Sequence, residues 1–422
     1  MLRKIIRSLS LVAAFATAAI VATPSQAVPA FARQTGKACS TCHFQHYPAL
    51  NSYGQEFKAG GFTDTGKQPL LKGSDLSLPS ILNASLFFKF RYQDTNGKDL
   101  PGSGDATAAS GDWQIPDEFA LLLGGRVTEN IGFMLEGQLA DNTAPFLAGF
   151  KMPAMYKVGE TMKAGVVPYT TDALGASYGF ELLNTGAVRN VRVNEHRSET
   201  SAQQYIGTAT PATGAAFVLW HPQFFVNVSR WSPNHAGDTS GQKLSSTYVR
   251  AAYMPNLGDW ELGTGVQVWT GTAKEANGPA VVDTKAWALD FQAQGAVGNL
   301  PLGVYLTHAK AKATEAGSGI VNLFNGNPND ERATTILGEL GILPQKATLQ
   351  LAYRWADTGA DSADNPKDNA WTVGGTYQIA QNVQLQAQYT SRSKGGAGNV
   401  GRYAGSETPG SALTTFMLSA GF

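Results

Sequence analysis

The chain ends Thr414-Thr415-Phe416-Met417-Leu418-Ser419-Ala420-Gly421-Phe422. On the two-residue period of a β-strand, Thr414, Phe416, Leu418, Ala420 and Phe422 share one face, and Thr415, Met417, Ser419 and Gly421 the other. The same period recurs upstream. Ala84, Leu86, Phe88, Phe90 and Tyr92 alternate with Ser85, Phe87, Lys89, Arg91 and Gln93. Ala347, Leu349, Leu351, Tyr353 and Trp355 alternate with Thr348, Gln350, Ala352 and Arg354, and Val383, Leu385, Ala387 and Tyr389 with Gln384, Gln386 and Gln388. One face is apolar with aromatics at its ends; the other is polar. A strand between lipid and a wet lumen needs this pattern, though water-soluble antiparallel sheets alternate as well.

The connections separate the two cases. Short turns fall at 128–131, 158–160, 221–223, 255–259, 297–301, 343–346 and 380–382. Between them lie longer polar loops, at 94–114, 140–146, 170–213, 232–245, 270–284, 312–332, 356–369 and 392–410. Seven turns alternating with eight loops make sixteen strands. An even count with short turns at one end is the bacterial outer-membrane arrangement, and a terminal Phe closing the last strand resembles the signal read by outer-membrane assembly machinery. The expected fold is all-β: an antiparallel transmembrane β-barrel of about sixteen strands within 80–422, opening near Leu82 and closing at Phe422.

Composition is compatible and not decisive. Charged residues make up 15% of the chain, against about 25% in soluble domains. No mature stretch reaches the roughly 18 uninterrupted apolar residues of a membrane-crossing helix. A secreted β-solenoid would share both features. Residues 1–27 read as a secretory signal: Arg3, Lys4 and Arg7, an apolar run from Leu9 to Ala22, then Ser25-Gln26-Ala27 before a cut at Val28. The 32 basic and 32 acidic residues become 29 − 32 = −3 once those three basic residues are removed, which is no footprint for nucleic acid. The expected surroundings are outer-membrane lipid.

Segment 28–79 has no clear alternation and contains the only two cysteines, in Cys39-Ser40-Thr41-Cys42-His43. Cys-x-x-Cys-His is the attachment signature of c-type haem. Both thiols must sit on one turn to reach the haem vinyl groups, and the following histidine ligates the iron. A redox dithiol, a plain disulfide and half a zinc site are the other readings of such a pair. No second cysteine pair exists to complete a zinc site. The expected cofactor is one covalent haem c on Cys39 and Cys42, with His43 as axial ligand. A segment of roughly fifty residues is small for an independent core, so the haem or the barrel wall would staple it.

The second axial ligand is less legible. Segment 28–79 has no methionine. His46, three residues after His43, would share a helical face with it and fail to reach the far side of the same haem. Alternation points Met134, Met155 and Met417 inward, and His221 sits at a short turn. Met134 and Met155, on neighbouring strands near the short-turn end, are the first to consider; an open position is the alternative.

Phe31-Ala32-Arg33-Gln34-Thr35-Gly36, the Cys39–His43 motif, Pro48-x-Leu50, Gly54, Phe57-Lys58 and Gly61-Phe62 together resemble the fused monohaem cytochrome–porin family. Its best-known members are outer-membrane iron oxidases of iron-oxidising bacteria. The resemblance is detailed over this motif and architectural elsewhere. It implies a haem segment in or under the barrel that takes electrons from external Fe(II) and passes them to a periplasmic c-type cytochrome, and it carries over to Cys39, Cys42 and His43. The stretch from His43 to Pro48 is one residue longer than in the iron oxidases and holds the extra His46; Gln55 stands where an arginine often follows the family glycine. Two functional classes are therefore expected: an electron conduit, for Fe(II) or for a different donor or acceptor, or a solute porin with a haem-bearing plug.

Overall fold

The alternating segments fold as sixteen antiparallel strands in a computed structural model of the chain, and the ring they form is closed. The structure describes residues 29–74, 76–98, 111–140, 146–187, 195–235, 243–274, 280–361, 366–392 and 410–422. The expected signal at 1–27 lies outside them. The strands are β1 Ala84–Thr95, β2 Asp112–Arg126, β3 Gly132–Gln138, β4 Leu147–Lys151 continued by Ala154–Val158, β5 Met162–Thr171 and β6 Ala212–His221. Next come β7 Phe224–Ser232, β8 Ser246–Tyr253, β9 Trp260–Thr270, β10 Ala286–Val297 and β11 Leu300–Ala311. The ring finishes with β12 Glu331–Leu343, β13 Ala347–Asp357, β14 Ala370–Ala380, β15 Val383–Arg392 and β16 Ala412–Gly421. Strand β4 breaks at Met152-Pro153, where proline has no N–H to give the ladder.

Closure is made by the terminal strand. β16 pairs with β1 from Leu413↔Thr95 to Gly421↔Phe87, and Phe422 exchanges backbone hydrogen bonds of 2.6 and 2.9 Å with Leu86. Closing the ring removes the exposed edges that lipid cannot satisfy. The two faces differ as alternation requires. On β13, Leu349 and Trp355 point outward, 56% and 51% exposed, while Gln350 and Arg354 are buried inside. An apolar outer surface of this extent over a whole ring is a lipid-facing surface.

Residues 29–79 sit at the short-turn mouth. Helix α1 (Ala30–Thr35) ends at Gly36, whose φ of 68° allows the left-handed cap. Helix α2 is a single turn, Cys39–Cys42, and α3 (Ser52–Ala59) is capped by Asn51, whose Oδ1 accepts from Gly54 N at 3.0 Å. Phe31, Phe57 and Phe62 form the segment's own small core, with centroids 4.9 to 5.8 Å apart.

Three phenylalanines are a thin core, and the barrel supplies the rest. Gln34 donates to the carbonyls of Phe62 and Asp64, and its Oε1 accepts from Asn83 and from Arg126 N on β2. Ser52 donates to Glu261 on β9 through both its amide and its hydroxyl, and Gln45 donates to the carbonyl of Glu339 on β12. Gly132 on β3 packs against Gly61 so closely that a Cβ there would lie 2.0 Å from the Gly61 oxygen.

The 170–213 connection does not stand out in solvent. Its described residues run through the lumen, with two short helices, α4 (Arg197–Thr200) and α5 (Ala202–Tyr205). Glu181 and Asp290 grip the fully buried Arg250 at 2.9 and 2.6 Å. Glu199 and Asp368 hold Arg354, also buried, at 3.1 and 2.9 Å. His196 bonds Thr390 on β15 and Thr415 on β16. The loop thus meets strands on several sides of the ring.

Candidate cofactor site

The one-turn helix α2 exists because Cys39 O accepts from His43 N at 3.0 Å and the chain then turns extended at His43. That turn directs both thiols and the His43 ring to a single cavity of about 340 Å³, within the usual range of ligand pockets. Its walls come from three sources. The segment gives Phe31, Tyr47, Leu50 and Phe57; the barrel gives Phe87, Leu122 and Met134; the lumen loop gives Leu174, Leu182 and Leu183. Asn184 ties loop to segment, exchanging hydrogen bonds of 2.9 Å with both the N–H and the carbonyl of Leu50.

The backbone around the motif tolerates little change. Asn51 donates from Nδ2 to Thr41 O at 3.1 Å, so α3 is fastened to α2. A Cβ on Gly54 would lie 2.2 Å from Cys42 O, so only glycine lets α3 lie against the cysteine turn. His43 Nδ1 contacts the Ala49 carbonyl at 3.2 Å. This fixes the ring and leaves Nε2 as the nitrogen for a metal, the usual arrangement behind a ligating histidine. Burial pushes the His43 imidazole down to about 4, outweighing the opposing pull of Ala49, so it is neutral as a ligand must be. Burial also pushes both thiols up from their ordinary value.

These residues fit a c-type haem: two free thiols on one turn, an oriented neutral histidine, and one largely apolar cavity faced by all three. Among the described residues no group of three or more His, Cys, Asp or Glu side chains converges as a bare metal ion would require.

The other sequence candidates separate. Met134 lines the cavity. Met155 points inward as expected but does not line it; it is buried in the apolar cluster that includes Ala59, Val167 and Tyr169. Met417 is buried inside the wall, again outside the cavity lining. His221 stays at its turn, where Nδ1 accepts from Gln223 N at 3.1 Å.

His46 corrects a premise. Helix α2 stops at Cys42, so His43 and His46 share no helical face. With Gln45 at a φ of 60°, the chain reverses and sends His46 to the barrel wall, where Nε2 meets Glu339 Oε1 at 2.7 Å. Burial alone would lower His46; the charge and hydrogen bond of Glu339 outweigh it and raise it. The partners Glu339 and Asn184 carried no sequence signal, and Gln34 stood within the resemblance motif with no role attached. The length of the lumen connection was a signal, since connections longer than about 15 residues are usually either functional or linker segments, but its inward course was not.

No family model matches the chain, and no curated protein matches it. Among solved structures it is similar to outer-membrane OmpT of Vibrio cholerae, at 12% identity and a TM-score of 0.44, covering 84% of this chain and 100% of that one. The outer membrane channel DcaP of Acinetobacter baumannii gives 13% and 0.46, with 84% and 100% covered. A mutant of the Rh. blastica porin gives 13% and 0.46, with 81% and 100% covered.

Proposed function

We propose that the chain is an outer-membrane electron-transfer protein carrying one haem c on Cys39 and Cys42, with His43 as an iron ligand. The observation that carries this reading is that all three side chains face one apolar cavity walled by the segment, the barrel and the lumen loop. Bound there, the haem would supply reversible one-electron exchange at its iron. The protein does the rest. Cys39 and Cys42 would hold the group, the Ala49 carbonyl orients His43, and Leu122, Leu182 and Leu183 would lie against it. The site lies at the short-turn end, which in bacterial barrels is periplasmic, within reach of a periplasmic c-type cytochrome as acceptor. External Fe(II) is the proposed donor, as the cytochrome–porin resemblance implies.

Denaturing gels stained for haem peroxidase test the attachment. The signal should stay with the polypeptide and vanish in a Cys39→Ser/Cys42→Ser variant; haem extracted whole by acid–acetone would overturn it. A second reading, a solute porin with a haem-bearing plug, is favoured by the polar lumen face, with Gln350, Thr348 and Arg354 on β13 alone. Sugar-induced swelling of liposomes containing the protein distinguishes it, since an electron conduit with its mouth and lumen filled should swell far less than an open porin.

A further inference from the structure

We infer that Met134 is the second axial ligand, facing His43 across the cavity; this rests on the haem reading above. Among the described residues His43 is the one histidine and Met134 the one methionine in the cavity lining. They are held by different parts of the wall. The His43 turn is backed by Ala49, buried in one cluster with Tyr305 on β11, Leu337 on β12 and Ala352 on β13. Gln45 and His46 in the same turn are fastened to Glu339 on β12. Met134 lies on β3, between Gly124 of β2 and Lys151 of β4. In the closed ring β3 and β12 are nine strands apart one way and seven the other, nearly diametric.

Three other donors in the lining are engaged or chemically poorer. Lys151 Nζ donates to the Tyr178 carbonyl at 3.0 Å and lies 4.0 Å from the Tyr178 ring centroid. Glu181 accepts from Leu182 N and Leu183 N and pairs with Arg250. Glu136, on the same strand as Met134, offers a hard carboxylate. A thioether is the softer donor and raises the haem potential, which suits an electron taken from a weak reductant such as Fe(II).

The test is the near-infrared methionine–iron charge-transfer band of the oxidised, detergent-purified holoprotein, read alongside the reduction potential. Met134→Leu keeps volume and removes sulfur, and Met155→Leu is the control; heat-dependent gel mobility confirms that each barrel is closed. The wild type should show the band, Met134→Leu should lose it and fall in potential, and Met155→Leu should keep both. Covalent haem without the band in the wild type, or a band that survives Met134→Leu, overturns the assignment of Met134 and leaves the haem reading intact. Absence of covalent haem from the wild type overturns that reading itself.

Discussion

His46 and Glu339 are 293 residues apart in sequence and meet at 2.7 Å, with side chains 1% and 0% exposed. Gln350 also donates to the Glu339 carboxylate, at 2.9 Å. Removing one partner of a buried pair strands the other charge, at about 3–5 kcal/mol. His46→Ala should therefore weaken segment docking by roughly that amount, measured as the urea concentration at which a protease first cuts within residues 29–79. The sign of the pH effect follows from His46, whose folded value is raised above 6.5. Its contribution is complete below 6.5 and is lost as pH climbs through the raised value. Protease sensitivity of the segment should rise on the alkaline side in the wild type, and that step should be absent in His46→Ala. His43 could be singled out because the Cys39–His43 motif is a matter of local spacing. His46 could not, because its partner is brought in by barrel closure.

Among the elements, the strands were legible and the lumen loop was not. A period of two and the short turns depend only on neighbouring residues, so the turns fall where alternation placed them, and the first strand opens at Ala84 rather than Leu82. The inward course of 170–213 depends on arginines far away on β8 and β13, which no local pattern pairs with Glu181 and Glu199. Arg250→Leu leaves Glu181 and Asp290 buried without their cation, again about 3–5 kcal/mol. It should loosen the loop and raise single-channel conductance in planar bilayers; unchanged conductance would mean that Arg250 does not hold the loop. At the other contact, Gly132→Ala sets backbone against backbone at Gly61, with no side chain able to rotate away. The barrel should still show heat-dependent mobility, while the segment becomes cleavable at low protease concentration.

Taken whole, the molecule is a sixteen-strand ring with a small segment in one mouth and a loop through its lumen. Both fillings converge on the cavity of Cys39, Cys42 and His43. A hydrocarbon layer of about 30 Å is more than a single haem can bridge. On the proposed reading, the barrel would let a small donor approach from the long-loop side while a protein acceptor docked at the short-turn mouth. Reconstitution into liposomes that enclose an oxidised soluble c-type cytochrome tests this most directly. With Fe(II) added outside under anaerobic conditions, the enclosed cytochrome should become reduced with the haem-bearing protein and stay oxidised with Cys39→Ser/Cys42→Ser. An enclosed cytochrome that stays oxidised in both, or is reduced equally in both, would contradict the account.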